Sequence, residues 1–354
     1  MTTPRRRQPA RSRPEQQALS SAEDVLPFGL LDVHPTLITD KGPPLRHRCV
    51  INGCPHYLIP PTRKTKGQAC PIHGIRVHTS ATYSYKDATR NAILDRDLLQ
   101  RIIRHPGKFE SWRMGNERSE DCLTFNVFRS FQQAGCLNVI GRLITGLEVE
   151  AEPQLFLWSL TLTDDSLTPW PQLVAARSRF ERSLPVNRPA TEPDVGLLLD
   201  GVYLALIECK LGSPNTFYTE GERKDAQSLT KSELLTIYHD RQTSRILDLE
   251  KAKASEAVAY QMWRNTVFSE WMAAKSAPGT RAYFTNLVRA GSEIESFEHF
   301  FQLVRPEYAG RVTRVRWEDL FILASIYGNK LLRLRRYLAE KTLNLRPAFQ
   351  LIGV

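Results

Sequence analysis

The sequence predicts an α/β fold, with α+β as the alternative, for the chain from residue 91 onward. Three observations support this class. Segments with helical and with strand-like hydrophobic patterns are intermixed along the chain. The apolar run from Val195 to Ile207 is interrupted by Asp200-Gly201, a pair typical of β-hairpin turns. The 354 residues are 42% hydrophobic and 24% charged, which excludes a wholly disordered chain and allows a large core.

The individual elements follow in chain order. Residues 92–104 form a predicted helix that ends before Pro106, because a residue preceding proline avoids the helical conformation. Asn116 is the expected N-cap of a second helix, which runs to Ala134 and stops at Gly135. Beyond it we expect strands over 137–150, 154–162, 195–199, 202–210, 282–287 and 312–317, a polar excursion over 212–242, a long helix over 244–275 and a basic C-terminal helix.

The N-terminal part of the chain has a different composition. Residues 1–24 are rich in Arg, Pro, Gln and Ser and lack apolar periodicity, so we expect a disordered basic tail; contact with a phosphate backbone is its functional alternative. Residues 41–90 contain few large apolar side chains and many Gly and Pro. A segment of this kind needs a staple other than a core of its own.

A metal-ligand pattern in this segment supplies such a staple: Cys49-x4-Cys54-x15-Cys70-x2-His73. Two close pairs of sulfur and nitrogen ligands are what tetrahedral zinc needs, and zinc binding supplies folding free energy. Any one ligand has alternatives nearby, namely His47, His56 and His78. Four protein ligands close the coordination sphere, so we predict a structural Zn²⁺ and a zinc-binding module over 25–90. The simpler alternative is a set of unrelated reduced thiols.

Charge and cysteine content restrict the partners and the compartment. The formal net charge is +10, which favours polyanions, nucleic acid before acidic membrane surface. The longest apolar stretch is too short to span a bilayer, and the basic N-terminus lacks the apolar region of a secretory signal. Six cysteines in a chain of this length do not indicate a disulfide scaffold. We therefore expect a cytoplasmic protein without membrane contact.

Charged residues stand at the open end of the predicted hairpin: Pro193-Asp194 on one strand and Glu208-Cys209-Lys210 on the other. Glu208 and Lys210 project to the same face, because side chains two apart in a strand do so. Such groups at the end of an apolar strand are costly unless they pair or serve a site. An ordinary ion pair at a strand end is the simpler interpretation.

The hairpin register decides whether Asp194 joins them. A two-residue turn at Asp200-Gly201 pairs Asp194 with Ile207 and turns it to the opposite face. A three-residue loop over 199–201, with Gly201 left-handed, pairs Asp194 with Leu206 and turns it to the face of Glu208. A metal site requires this second register, or a bulge with the same effect.

A third carboxylate lies upstream, on the helix predicted from Asn116. Glu120 falls within the apolar stripe of Val127 and Phe131, and an acidic residue on a buried stripe is a candidate ligand. Glu117 is a less central candidate. The alternative is a glutamate near a helix start that interacts favourably with the helix dipole. Hard oxygen ligands from few carboxylates suit Mg²⁺ or Mn²⁺, and Lys210 beside them can orient an attacking water.

This ordered set resembles the PD-(D/E)xK nuclease superfamily. The resemblance is carried by Glu120 on a helix, by Pro193-Asp194, by Glu208-Cys209-Lys210, and by Gln261 on the later helical segment 259–265. It covers roughly residues 91–340, and we assign 91–354 to the nuclease-like domain.

The resemblance implies a restriction-endonuclease-like mixed sheet flanked by helices, with a metal ion held by Asp194, Glu208 and the backbone carbonyl of Cys209. Lys210 would position the attacking water. Glu120 would take the role of the helix glutamate, and Gln261 would support the site. A packed position on the helix with Trp263 and Val267 is the structural alternative for Gln261.

We therefore expect a Mg²⁺-dependent DNA endonuclease, with phage defence, restriction and mobile-element biology as candidate settings. RNA remains open as a substrate. The assemblies expected are a homodimer or a complex with partner proteins of a multi-component system. The alternative function is a catalytically inactive, zinc-containing nucleic-acid-binding protein, which the combination of Asp194, Glu208 and Lys210 disfavours.

Overall fold

The structure is a computed structural model. It describes residues 47–49, 54–59, 67–78, 82–106, 114–116, 119–162, 166–184, 190–220 and 229–338. The predicted basic tail over 1–24 lies outside these ranges, and so do Glu117 and the end of the chain. In the described part, none of the helices combines the length and the apolar character that a bilayer crossing requires.

Strands and helices are intermixed along the chain, in agreement with the predicted α/β class. The strands are β1 (His47–Arg48), β2 (Tyr57–Leu58), β3 (Arg76–His78), β4 (Thr82–Ser84), β5 (Gln154–Leu157), β6 (Leu160–Leu162), β7 (Leu167–Pro169), β8 (Val195–Leu199), β9 (Tyr203–Cys209), β10 (Phe217–Thr219), β11 (Ala257–Ala259), β12 (Arg281–Val288) and β13 (Val312–Arg316). The α-helices are α1 (Arg96–Arg104), α2 (Glu120–Gln133), α3 (Leu137–Thr145), α4 (Pro171–Phe180), α5 (Lys231–Ile237), α6 (Leu249–Ala254), α7 (Tyr260–Ala274), α8 (Ile294–Phe301), α9 (Trp317–Ile326) and α10 (Leu332–Tyr337).

A seven-stranded mixed sheet forms the centre, in the order β13-β12-β9-β8-β5-β6-β7. The pairs β12–β13 and β12–β9 are parallel, and the remaining pairs are antiparallel. Strand β9 is buried along its whole length, and its side chains alternate between two hydrophobic clusters. Tyr203, Ala205 and Ile207 pack with α2, α3 and α9, whereas Leu204 and Leu206 pack with α4 and α7. The fold is therefore a three-layer mixed α/β structure.

In the first half of the chain, one predicted strand is wrong and another is correct in type but divided by a turn. The segment 137–150, predicted as a strand, begins with helix α3, whose Leu137, Ile140 and Ile144 are buried on one face. The spacing of three and four residues is helical, and the β-branched side chains obscured it. The segment 154–162 is two antiparallel strands, because Trp158 and Ser159 form a turn with positive φ angles of 47° and 80°.

Two further errors concern one small sheet. The predicted polar excursion over 212–242 contains β10 and α5, and the predicted helix over 244–275 is divided into α6, β11 and α7. Strands β10 and β11 pair with each other in an antiparallel ladder. Ser255 ends α6 in an extended conformation, and its hydroxyl donates to the carbonyl groups of Ala252 and Ala257. The pairing partner is 40 residues away in sequence, so the local pattern does not reveal it.

The boundary predicted near residue 91 is bridged by hydrogen bonds. Ser84 and Asn116 form an antiparallel bridge, and the Tyr85 amide donates to the Gly115 carbonyl at 2.8 Å. Ala92 and Ile93 belong to the same hydrophobic cluster as α2. Helix α1 begins at Arg96, four residues later than predicted, and ends before Pro106 as expected. Residues 84–93 thus pack with residues on the other side of the predicted boundary.

Candidate functional site

The charged residues at the open end of the β8–β9 hairpin come together as the acidic–lysine cluster, which we define as Glu120, Asp194, Glu208 and Lys210. The observed pairing joins Val195 with Ile207. Continuing the ladder by one residue places Asp194 directly opposite Glu208 and on the same face of the sheet. Neither predicted register was correct, but the observed one satisfies the condition for a shared site.

The hairpin loop explains this register. Leu199 pairs with Tyr203, so the loop has three residues, Asp200 to Val202, and lies one residue later than predicted. Gly201 adopts the expected left-handed conformation, with φ of 73°. The Val202 amide donates to the Leu199 carbonyl, but the Val202 carbonyl accepts from Arg281 in β12. This bond to a third strand holds Val202 out of the hairpin ladder.

Glu208 is the centre of the acidic–lysine cluster. Its side chain is 3% exposed. The carboxylate accepts from Lys210 Nζ at 2.7 Å and from Gln261 Nε2 at 2.5 Å, both through Oε1, and from Asn265 Nδ2 at 2.7 Å through Oε2. The predicted site residue Gln261 therefore contacts Glu208 from the first turn of α7. Three donors compensate the cost of burying this charge.

Asp194 is bonded to the backbone of the neighbouring strand. Its Oδ2 accepts from the Cys209 amide at 2.7 Å. Burial and the nearby charge of Glu208 raise the pKa of Asp194 well above its usual value, against the opposing influence of Lys210. Cys209 thus takes part through its amide, and its thiol lies in the hydrophobic cluster on the other face of the sheet. The predicted role of its carbonyl stays a prediction.

Glu120 is the first residue of α2. Ser119, and not Asn116, is the N-cap: its side chain accepts from the Cys122 amide at 3.0 Å. The Glu120 carboxylate accepts from the Leu211 amide, just beyond the end of β9. Burial raises the pKa of Glu120 to about 7, although the charge of Lys210 and the Leu211 amide act in the opposite direction. The helix therefore delivers this third carboxylate beside the strand that carries Glu208 and Lys210.

Lys210 is the cation among these carboxylates. Burial alone would lower its pKa, but the charges of Glu208, Asp194 and Glu120 outweigh burial and raise it. The ammonium group is thus held in its charged form. Its backbone is fixed as well, since the Lys210 amide donates to Leu287 and its carbonyl accepts from the indole of Trp317.

Two asparagines complete the surroundings of Glu208 and were not predicted as site residues. Asn265 was part of the helical segment of the resemblance, but no role was assigned to it. Asn286 lies beside Glu208 in the parallel register of β9 and β12. Both asparagines are fully buried, and neither polar atom of the Asn286 amide nor Oδ1 of Asn265 has a hydrogen-bond partner. Buried polar atoms of this kind commonly bond water or a ligand.

The second constellation, the Cys–His cluster, consists of Cys49, Cys54, Cys70 and His73. The ligand atoms of all four side chains lie within 4.8 Å of one another. Cys49 Sγ and Cys70 Sγ are each 3.5 Å from His73 Nδ1, and Cys54 Sγ is 3.8 Å from Cys70 Sγ. These residues are the predicted ligand set, and they form a group that can hold a metal ion. The backbones of His47 and His78 are described, but their side chains are not.

A tight turn builds one half of the Cys–His cluster. Residues 71–73 form the turn, and Gly74 follows with φ of 65°. A Cβ at Gly74 would lie 2.7 Å from Cβ of Lys86, so a larger residue does not fit. The His73 amide donates to Cys70 Sγ at 3.4 Å. Burial raises the pKa of the Cys70 thiol, but backbone amides of His73 and Ile72 outweigh burial and lower it to about 7.

The two clusters differ in how closely their ligand atoms converge. Among the residues that the structure describes, the Cys–His cluster is the only group of three or more Cys, His, Asp or Glu side chains with ligand atoms within 4.8 Å of one another. The charges of Glu120 and Glu208 raise the pKa of Asp194, so the three carboxylates are close enough to interact. Their oxygen atoms nevertheless do not form a group with this spacing.

Comparison with protein-family models, with curated proteins and with solved structures found no match. The function therefore has to follow from the residues of this chain.

Proposed function

We propose that the protein is a metal-dependent nuclease of the PD-(D/E)xK type that hydrolyses phosphodiester bonds in DNA. The observation that carries this proposal is the β8–β9 register, which aligns Asp194 with Glu208 on one face and leaves Lys210 beside them. A mixed sheet with helices on both faces agrees with the restriction-endonuclease-like fold. The net charge of +10 suits a polyanionic substrate.

The chemistry of the donor set fits a hard divalent cation. Asp194, Glu208 and Glu120 offer carboxylate oxygens, and the mutual repulsion that contributes to the raised pKa of Asp194 is relieved by a bound cation. Asp194 and Glu208, with the backbone carbonyl of Cys209, would hold Mg²⁺ or Mn²⁺. A bound Mg²⁺ supplies a Lewis acid for a phosphoryl oxygen and lowers the pKa of a bound water.

The protein side chains then have separate tasks. Lys210 keeps a positive charge next to Glu208 and can orient the attacking water and offset negative charge in the transition state. Gln261 and Asn265 fix the Glu208 carboxylate from α7. Asn286 and Asn265 present unpartnered polar atoms next to Glu208, which favours a polar ligand or an ordered water at this position. Glu120 adds a carboxylate with a pKa of about 7, suited to proton transfer near neutral pH.

The Cys–His cluster is proposed to hold a structural Zn²⁺. Tetrahedral zinc, with Zn–S near 2.3 Å and Zn–N near 2.1 Å, places neighbouring ligand atoms roughly 3.5 to 3.8 Å apart. The observed separations of 3.5 and 3.8 Å agree with this geometry. Four protein ligands leave no open position for a substrate, so the zinc would stabilise the segment around Cys49 to His73.

One observation favours the second candidate, an inactive nucleic-acid-binding protein with the same fold. Both oxygens of Glu208 are bonded to protein donors, and binding of a metal ion at Glu208 would have to replace at least one of these bonds. In this case the Lys210–Glu208 pair would be a permanent structural ion pair.

A cleavage assay on purified protein separates the two candidates. Plasmid, linear duplex and single-stranded DNA are each incubated with Mg²⁺ or with EDTA, and RNA is included as a fourth substrate. The nuclease is expected to cut DNA with Mg²⁺ and to be inactive with EDTA. Binding to DNA without cleavage of any substrate, at any concentration of Mg²⁺ or Mn²⁺, would establish the binding protein instead.

A further inference from the structure

A cleft of about 830 Å³ lies at the end of α7 remote from the acidic–lysine cluster. Its walls come from the end of α4, from α5, from the loop over 239–242, from α6 and from the last turn of α7. Gln261 and Trp271 are ten residues apart on α7, so roughly 15 Å of helix separates the Glu208 site from this cleft. The volume is within the range of small-molecule sites, about 300 to 1,000 Å³.

The lining is strongly basic. Four cations, Arg179, Arg241, Lys253 and Lys275, face one acidic residue, Asp240. Asp240 is already engaged: Arg179 donates to it at 3.0 Å, and two backbone amides bond its other oxygen.

Two of the cations remain available for a ligand. Lys253 pairs with Glu250 at 2.8 Å on the exposed rim. Among the described residues, Arg241 and Lys275 have no carboxylate partner within ion-pair distance. Burial lowers the pKa of His239 in the cleft wall. The positive charges of Arg241, Lys253 and Arg305 lower this pKa further, whereas the charge of Asp240 raises it. The cleft therefore carries positive charge that can bind an anion.

Trp271 gives the cleft an aromatic surface. Trp158, Trp170, Trp263 and Trp317 are fully buried, whereas Trp271 is partly exposed at the cleft wall. Phe180 packs against its edge, with ring centroids 6.2 Å apart at 76°. Lys275 Nζ lies over the ring, 5.7 Å from its centroid. An exposed lysine is readily displaced, so the indole face can accept a planar ring.

We infer that this cleft binds a nucleotide unit, with the base stacked on Trp271 and the phosphate paired with Arg241 and Lys275. Stacking on an aromatic side chain beside basic groups is how proteins hold a base without reading its sequence. The unit can be a free nucleotide or one residue of a nucleic acid strand, since both present the same chemistry. This site goes beyond the proposed nuclease activity and does not depend on it.

Binding titrations in EDTA test the inference, because cleavage does not occur in them. The probes are a fluorescently labelled adenosine nucleotide and a labelled single-stranded oligonucleotide. Arg241→Glu and Lys275→Glu are each expected to weaken binding at least about tenfold. Arg104→Glu, an equal charge reversal at an exposed position on α1, is expected to change binding less than about twofold. Trp271→Leu should weaken binding of the nucleotide but not of inorganic phosphate.

The two probes identify the source of the ligand. Weakened binding of the free nucleotide indicates a small-molecule site, and weakened binding of the oligonucleotide alone indicates that the cleft receives part of a strand. The inference is overturned if both probes bind the cleft variants as they bind Arg104→Glu, or if inorganic phosphate competes as well as the nucleotide. Arg241 and Lys275 are exposed and take no part in the packing of Phe180 against Trp271, so their variants test the inference even if Trp271→Leu fails to fold.

Discussion

The Cys–His cluster and the acidic–lysine cluster are both candidate metal sites, but different forces hold their side chains. In the Cys–His cluster, ligands from separate turns face one another at 3.5 to 3.8 Å between short two- and three-residue strands. In the acidic–lysine cluster, every carboxylate is bonded to a protein donor that lies on the central strand β9 or within two residues of its end. We therefore expect the segment of the first cluster to depend on a bound metal ion, whereas hydrogen bonds from the fold hold the side chains of the second.

Removal of zinc gives the largest expected contrast between the clusters. Structural zinc supplies on the order of 10 kcal/mol in zinc-binding peptides, so chelation or Cys54→Ala should unfold the segment 47–78 locally. Hydrogen exchange should rise over 67–78 and stay slow over 195–209. Cys136→Ala, a thiol outside the cluster, should leave both zinc content and exchange unchanged. Less than about half an equivalent of zinc in folded wild-type protein would contradict the metal assignment.

Lys210→Met tests whether the fold holds the acidic–lysine cluster together through this ion pair. The variant leaves Glu208 buried with two neutral donors, and loss of one partner of a buried pair costs about 3 to 5 kcal/mol. Urea unfolding near neutral pH measures the change. Lys251→Met, at an exposed position on α6, should change stability by less than about 0.5 kcal/mol. A cost below about 1 kcal/mol for Lys210→Met would show that the pair is not structural.

Glu270→Gln sharpens the comparison with a buried carboxylate that has no lysine partner. Glu270 accepts from the amides of Arg245 and Ile246, and burial raises its pKa from 4.5 to about 7 despite these bonds. The folded state therefore binds this proton more tightly than the unfolded state, and its contribution to stability falls as pH rises from about 4.5 to about 7.

Glutamine does not titrate, so the Glu270→Gln variant does not lose this contribution to stability as pH rises. Relative to wild type, Glu270→Gln should gain about 3 kcal/mol in unfolding free energy between pH 4.5 and pH 8. Urea unfolding at several pH values measures this gain. A difference between the two proteins that is constant with pH would show that Glu270 titrates normally.

Asn286→Leu gives the smallest expected change in stability and separates packing from function. Replacing a buried amide without partners by an apolar side chain should be neutral or stabilising by about 1 kcal/mol. Cleavage should nevertheless fall about tenfold, because polar groups kept at a cost in stability usually serve a site. Asn265→Leu is the matched control: it removes a donor to Glu208 and should destabilise the protein. Full cleavage by Asn286→Leu would exclude it from the site.

Local patterns were sufficient to find most of the acidic–lysine cluster. Glu208 lies in β9 and Lys210 directly follows its last residue, so the shared face of these two residues follows from strand geometry alone. The face to which Asp194 points depended on the hairpin loop, and the bond from Arg281 to Val202 that sets the register comes from a strand 79 residues later. The sequence therefore limited the register to a few alternatives without choosing the right one.

Contacts across the sheet could not be predicted either, because they also depend on strands that are distant in the sequence. Asn286 is placed beside Glu208 by the parallel pairing of β9 with β12, and no motif marks it. The errors around β10 and β11 also depend on distant partners, since β11 pairs with a strand about 40 residues earlier. The Cys–His cluster could be predicted because the spacing of its residues in the chain is one that a tetrahedral zinc site requires.

The most direct test of the proposed nuclease compares Mg²⁺-dependent cleavage of labelled duplex DNA by wild type, Asp194→Asn and Asp200→Asn. Asp194→Asn keeps the acceptor for the Cys209 amide but removes the charge, whereas Asp200 is exposed at the far end of the same hairpin. Cleavage should fall at least about 100-fold for Asp194→Asn and stay within about twofold for Asp200→Asn. Wild-type rates in a folded Asp194→Asn protein, or equal cleavage in EDTA, would contradict a metal-dependent site at Asp194 and Glu208.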